Sequence, residues 1–288
     1  MKFIHTFWSK PLYENLVKGF DESLKNTLYD YGCSVSCIHK HNEKIVLYTD
    51  KRGAELLSIL PYDDIIIIDN DELQNISISF PAQMKFYALK NCDLGDILID
   101  GDLFLWKPTS VQMITDSTED IVYSFFEPYD YILTSPYIKI ANKLLRELSK
   151  IEDEIKEPYH IPKFPDEYYY FNTSLMKINN QELKDKYVND YFYYMEKTKN
   201  LDFNNLWFDL ILEQMFLTQL VEHKNYSSKA IIEGFFVDPK ANERAIDIGF
   251  THLGASKTKF LTCAELILKE NDIQLYKIIT NKYNEIIS

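Results

Sequence analysis

Two stretches of this 288-residue sequence carry side chains that could do chemistry together. The first is Asp100-Gly101-Asp102, which follows the apolar run Ile97–Ile99. Two carboxylates at i and i+2 can point the same way at a strand's end. A small divalent cation wants a few carboxylate oxygens and leaves its other positions to water and substrate phosphates. Alone the pair says little, because chance places about two such pairs in a chain with this many aspartates. Asp69-Asn70-Asp71 is a second one, and an Asp-rich turn accounts for either. The other stretch is His252-Leu253-Gly254-Ala255-Ser256-Lys257. Its histidine, glycine and lysine at that spacing have a chance expectation of only about 0.02. An imidazole can complete a cation's coordination, a glycine lets backbone approach a phosphate, and a lysine adds a point charge to the same diphosphate. An exposed loop before the last helix is the plain alternative.

These residues need elements to hold them. Short apolar runs alternate with helical patterns over the first 110 residues: strands at Lys2–Phe7, Ile45–Thr49, Ile65–Ile68 and Asp96–Ile99, helices at Tyr13–Tyr31, Ala54–Leu60 and Ala82–Lys90. Strands that are apolar throughout, separated by helices, mark a parallel sheet covered on both faces. Such sheets bind ligands beyond the carboxyl ends of their strands, where Asp100 and Asp102 fall. Further on, 138–156 reads as helix, Tyr168–Ile178 as one strand, 182–198 and 203–222 as helices, and Phe260–Ile287 as one or two surface helices. No repeat or linker divides the chain. The expectation is an α/β fold with a mixed, mainly parallel central sheet flanked by helices. It forms a single domain over 1–288, with a nucleotide-donor half at 1–110, an acceptor and sugar half at 111–258 and a helical tail at 259–288.

Composition narrows the partners. With 44 acidic against 31 basic residues the formal charge is -13, which repels nucleic-acid backbones but leaves room for a small anion held by a cation. No stretch reaches the ~18 apolar residues that span a bilayer. The expectation is therefore a cytoplasmic protein without an integral membrane segment, with peripheral membrane association left open. The four cysteines lack metal or disulfide spacing and read as buried thiols.

Smaller features admit two readings each. Phe7 and Trp8, past the first strand, can stack on a base or simply fill the core. Asp50 can accept a hydrogen bond from a ribose or cap the following helix. His39-Lys40-His41 looks metal-like, but an exposed loop explains it better. The tyrosine-rich run 168–171 and the cluster at 187–194 read as core before they read as a sugar platform. Glu213 is notable, because a carboxylate in the apolar stretch Ile211–Leu220 is costly unless paired or functional.

The pair Asp100 and Asp102 with His252-x-Gly254-x-x-Lys257 resembles the retaining GT-A glycosyltransferases of family 8, the galactosyltransferase and glycogenin group. In that family the two aspartates and the late histidine hold Mn²⁺, and the glycine and lysine contact the donor diphosphate. Three more stretches agree in order. Met84–Leu89 resembles the helix whose basic residue touches donor, with Lys85 standing where arginine is usual. Phe171-Asn172-Thr173-Ser174-Leu175-Met176 resembles the Phe-Asn-x-Gly strand beside the sugar, with Ser174 for glycine. Glu213-Gln214 occupies the place of an Asp-Gln pair near the transferred sugar. The resemblance covers roughly 80–260, and the wording of the first strand departs from it. It implies a GT-A hexosyltransferase using Mn²⁺ or Mg²⁺, with Asp100, Asp102 and His252 as ligands and Glu213 and Gln214 at the reacting sugar. Lys85, Asn172, Gly254 and Lys257 would hold the donor, joined by Phe7, Trp8 and Asp50 on the reading of those residues given above. A UDP-sugar would be that donor, a glycan or lipid-linked saccharide the acceptor, and retention the outcome. A non-catalytic nucleotide-sugar-binding protein and a sugar nucleotidyltransferase are the alternatives. The second usually carries a glycine-rich basic loop after its first strand, and His5–Pro11 has no glycine.

Overall fold

In the computed structural model of the chain, the described residues are 1–17, 21–68, 81–128, 169–198, 211–234, 238–253 and 257–288. The helix expected at 138–156, the pair Asp69 and Asp71, and Gly254 lie outside them, as does the side chain of Lys257. In chain order the first elements are β1 (Phe3–Phe7), α1 (Ser9–Val17), α2 (Asp21–His39), β2 (Ile45–Thr49), α3 (Lys51–Leu57), β3 (Asp64–Ile67) and α4 (Gln83–Asn91). Then come β4 (Ile97–Ile99), β5 (Leu103–Leu105), α5 (Pro108–Thr115), β6 (Ile121–Tyr123), β7 (Phe126–Pro128), β8 (Tyr169–Phe171), β9 (Leu175–Ile178) and α6 (Gln181–Thr198). A π-turn at Ile211–Met215 leads into α7 (Phe216–Lys224), followed by β10 (Ser228–Ala230), α8 (Pro239–Ile248), β11 (Phe250–His252), α9 (Lys257–Asn271) and α10 (Ile273–Ile287). The fold is α/β with a mainly parallel sheet and flanking helices, as the sequence leads one to expect. No helix among the described residues is long and apolar enough to cross a membrane.

The chain divides into two compact units, each assembled from separated segments: Met1–Asn70, Asp96–Asp116 and Ala245–Ser288 in the first, Asp71–Gly95 and Ser117–Arg244 in the second. The first holds the parallel array β4-β1-β2-β3. β1 and β2 are almost wholly buried, as strands covered on both faces must be. The helix expected over Tyr13–Tyr31 is described as α1 and α2 on either side of 18–20, and α2 runs on to His39 because Cys33, Val35, Cys37 and Ile38 continue its buried face. The C-terminal helices are more than surface cover. Ala264 and Leu268 of α9 and Leu275 and Ile279 of α10 join Leu24, Leu28 and Cys33 of α2 in the core. The closeness of that packing shows at Gly32, where a Cβ would come within 2.4 Å of Ile279.

The second unit pairs β6 antiparallel with β9 and parallel with β10, and pairs β7 with β8. The single strand expected at Tyr168–Ile178 is broken after Phe171. Asn172 Oδ1 accepts the Ser174 amide at 3.0 Å, an Asx turn that redirects the chain, and Ser124 Oγ takes the Leu175 amide at 2.8 Å. β8 and β9 consequently serve different partners. Most of the described aromatics of the two clusters are core: Phe171 stacks on Tyr123, Phe86 of α4 stacks on Tyr191 of α6, and Tyr187 is buried beside them, whereas Tyr193 is exposed.

Candidate functional site

β1 and β4 run side by side with His5 opposite Ile99, so the turn after β4 hangs off the carboxyl end of the array next to Thr6 and Phe7. The turn is closed by the Leu103 amide donating to the Asp100 carbonyl at 3.0 Å. The chain then runs into β5, which pairs antiparallel with β11 and sets His252 opposite Leu103. The Leu253 amide donates to the Asp102 carbonyl at 3.1 Å and seals that register. This small ribbon is why an imidazole so late in the chain meets the aspartates. One ligand atom from each of Asp100, Asp102 and His252 lies within 4.8 Å of the others. His252 Nε2 stands 3.7 Å from Asp102 Oδ1, too far for a hydrogen bond. A divalent ion with bonds of about 2.1 Å spans ligands up to about 4.2 Å apart, so small rotamer changes bring all three onto one ion. Asp102 is only 4 % exposed, whereas Asp100 and His252 are half-buried and reach the surface.

Beneath the turn lies a buried floor. Tyr31 of α2 sets its ring against Gly101, where a Cβ would come within 2.3 Å of the ring, and donates its hydroxyl to the Thr6 carbonyl at 2.7 Å. Burial first, then the negative charge of Asp100, Asp102 and Asp30, holds that hydroxyl protonated well above the usual tyrosine range. His5 touches Tyr31 edge-on and is fully buried between the Tyr62 hydroxyl (2.8 Å) and Ser34 Oγ (3.0 Å). Burial pulls its pKa down to about 3 against an opposing pull from Asp102. Since the unfolded imidazole titrates near 6.5, the unfolded chain takes up this proton first as the pH falls. The stability from a neutral His5 is therefore full above about pH 6.5 and drains away toward pH 3. At pH 5 the loss is about 2 kcal/mol. Thermal unfolding of His5→Gln and the parent between pH 7 and 5 checks this: the parent should lose more stability over the interval, and equal losses would refute it.

Of the other donor residues expected in this unit, Asp50, Phe7 and Trp8 are held by the fold itself. Asp50 caps α3, accepting the Gly53 amide at 2.9 Å, while its second oxygen takes the Ser9 hydroxyl at 2.6 Å. Phe7 and Trp8 are both buried, Phe7 edge-on to Tyr31. Lys257 opens α9, a 15-residue helix. His39 and His41 do not converge: His39 meets Asp63 at 3.3 Å and His41 the Leu105 carbonyl at 2.9 Å.

The second unit gathers the remaining expected residues. Lys85 Nζ of α4 meets Glu213 Oε1 at 2.5 Å and the Thr173 carbonyl at 3.2 Å, and Thr173 Oγ1 donates to the same Glu213 oxygen at 2.6 Å. All three residues are buried. Glu213 and Gln214 sit on the π-turn, a departure from α-helix that recurs at functional sites. The Tyr187 hydroxyl donates to the Glu213 carbonyl at 2.6 Å and the Thr218 hydroxyl to that of Gln214 at 2.8 Å. Among the described residues, Gln214 Oε1 and both amide atoms of Gln83 are buried without a hydrogen-bond partner. Such orphans are rare enough to suggest a water or ligand group as the missing partner. Asn172 is tied to Glu127 through Nδ2. Neither Gln83 nor Glu127 stood out in sequence; a glutamine in the first turn of a helix carries no distinctive signal.

The model of the DUF6734 family matches residues 1–287. The chain belongs to this family. It is described as a family of unknown function, so membership by itself names no reaction. No curated protein matches the sequence. Among solved structures, the chain is similar to galactosyltransferase LgtC in complex with donor and acceptor sugar analogues. The identity is 10 %, the TM-score 0.45, and the match covers 92 % of this chain and 95 % of that one. That likeness is too distant to transfer a reaction, and the function has to be read from the side chains.

At Gly101 the Tyr31 ring leaves no room for a side chain. Gly101→Ala forces the Tyr31 ring or the turn to move, an overpacking expected to cost about 1–3 kcal/mol. Denaturant unfolding reads this directly, and a change below about 0.5 kcal/mol would show that the ring gives way freely.

Proposed function

We propose that this chain is a metal-dependent glycosyltransferase of the GT-A type, a distant relative of family 8. It would move a hexose from a nucleotide diphosphate sugar, a UDP-sugar first among them, to a saccharide or lipid-linked acceptor in the cytoplasm, with retention. The observation that supports it most is the meeting of Asp100, Asp102 and His252 at the carboxyl end of a parallel sheet. Two carboxylates and one imidazole suit Mn²⁺, and the imidazole makes Mg²⁺ the poorer choice. A divalent cation held there would supply Lewis-acid stabilisation of the leaving diphosphate.

The chain's own residues have the rest of the work. Transfer breaks the bond between the anomeric carbon and a phosphate oxygen, leaving charge on the diphosphate and an oxocarbenium-like sugar. Asp100, Asp102 and His252 hold the cation. Gly254 lets the backbone come close to phosphate, and Lys257 adds positive charge at the start of α9, where a helix N-terminus already favours anions. Phe7 and Trp8 border the base and Asp50 the ribose, Asp50 by giving up part of its cap. Asn172 and Lys85 orient the donor sugar, with Lys85 also fixing the Glu213 carboxylate. Glu213 and Gln214 steady the developing positive carbon or position hydroxyls.

Thermal-shift measurements with UDP-, GDP- and CDP-sugars, each with and without Mn²⁺, test this reading. A UDP-hexose with Mn²⁺ at about 100-fold above Kd should raise Tm by roughly 5 °C, because a ligand that binds the native state alone stabilises it. No shift with any nucleotide sugar in the presence of metal would overturn the proposal.

A further inference from the structure

The proposed metal turn is held from below by side chains that are not ligands. Ser34 of α2, fully buried, donates its only hydroxyl hydrogen to the Leu103 carbonyl at 2.7 Å. With that hydrogen committed, Ser34 Oγ can only accept from His5, so His5 carries its proton on Nε2 and takes the Tyr62 hydroxyl on Nδ1. Leu103 follows Asp102 directly and faces His252 across the ribbon. A shift at its carbonyl therefore moves all three ligands. Tyr31, three residues before Ser34 on the same helix, closes the other side of the turn through its ring against Gly101 and its hydroxyl on Thr6. The Asp100, Asp102 and Leu103 carbonyls are thus engaged by the Leu103 amide, the Leu253 amide and Ser34 in turn.

We propose that Ser34 is a positioning residue for the metal site: its hydroxyl, oriented by His5, clamps the Leu103 carbonyl and so pre-sets Asp100, Asp102 and His252 to the spacing of one cation. The inference rests on the metal reading above. It goes beyond it by assigning metal affinity to a helix that contributes no ligand. Outer groups that orient metal ligands characteristically change affinity by roughly 10–100-fold when removed. Ser34→Ala keeps the helix and nearly all of the packing volume while removing the clamp and, with it, the acceptor for His5 Nε2. A second buried hydroxyl, Ser124, hydrogen-bonded to Ser174 Oγ at 2.6 Å in the other unit, offers a matched loss without a link to the turn.

The experiment is an EPR titration of free Mn²⁺ against the intact chain, its Ser34→Ala variant and its Ser124→Ala variant, with Tm recorded for each. The expected result is Mn²⁺ binding weakened roughly 10–100-fold in Ser34→Ala and changed less than about threefold in Ser124→Ala, even where the two lose similar Tm. Equal Mn²⁺ affinity in the parent and Ser34→Ala would overturn the inference while leaving the metal site standing. Parallel weakening in both variants would overturn it too, as general destabilisation. Failure of the parent chain to bind Mn²⁺ at all would instead overturn the metal reading on which it rests.

Discussion

Asp102→Asn is expected to lower Mn²⁺-dependent turnover of a nucleotide sugar by a factor on the order of 10²–10³ while the protein stays folded. The substitution is nearly isosteric, and the backbone bond from Leu253 to the Asp102 carbonyl does not involve the side chain. What disappears is one negative charge from the most buried of the three proposed ligands. In the absence of metal that charge is a liability, since the Asp100 carboxylate lies within 4.8 Å and like charges that close repel. The metal-free variant should therefore unfold at the same temperature as the parent or higher, whereas the metal-loaded parent should gain stability that the variant does not. Turnover measured with and without Mn²⁺, alongside Tm under the same conditions, separates these effects. Unchanged turnover in Asp102→Asn would remove the metal assignment.

Lys85→Met should be among the most destabilising single changes, at about 3–5 kcal/mol, because it leaves the Glu213 carboxylate buried without its cation. The Thr173 hydroxyl remains bonded to Glu213 but brings no charge. Adding Glu213→Leu to Lys85→Met replaces the ion pair by apolar groups and should restore most of the loss, as buried pairs often tolerate replacement better than breakage. Denaturant unfolding of the single and double variants reads the coupling. A double variant no more stable than Lys85→Met would mean that the pair is not the source of the effect. If the double variant is stable but inactive, the polar cluster is kept for function rather than for stability, as its place on a π-turn suggests.

The parts of the fold most legible in the sequence were the short apolar runs: the buried strands β1, β2 and β4 and the position of the acidic pair beyond β4. The ribbon that completes the site was not legible. β5 and β11 are three-residue strands with no turn between them in sequence, so neither period nor hairpin chemistry announced them. The association of His252 with Asp100 and Asp102 came from motif resemblance, and β11 supplies its physical cause. Asp50 shows the opposite limit. A carboxylate just past a strand and just before a helix is placed equally well for a ligand or a cap, and only the hydrogen bonds from Gly53 and Ser9 show the second. Glu213 stood out as a costly carboxylate in an apolar stretch, but its partner Lys85 is too far off in sequence for any local pattern to join them. Likewise nothing in the spacing of Tyr31, Ser34 and His5 marks them as the floor of a site, since α2 looks in sequence like an ordinary amphipathic helix.

The most direct measurement is pulsed EPR on the chain loaded with Mn²⁺, which detects nitrogen bonded to the ion. Modulation from one directly bound imidazole nitrogen is expected, and it should vanish in His252→Gln while Mn²⁺ still binds, more weakly, to Asp100 and Asp102. An Mn²⁺ signal without nitrogen coupling, or coupling that survives in His252→Gln, would contradict a single ion shared by these three residues.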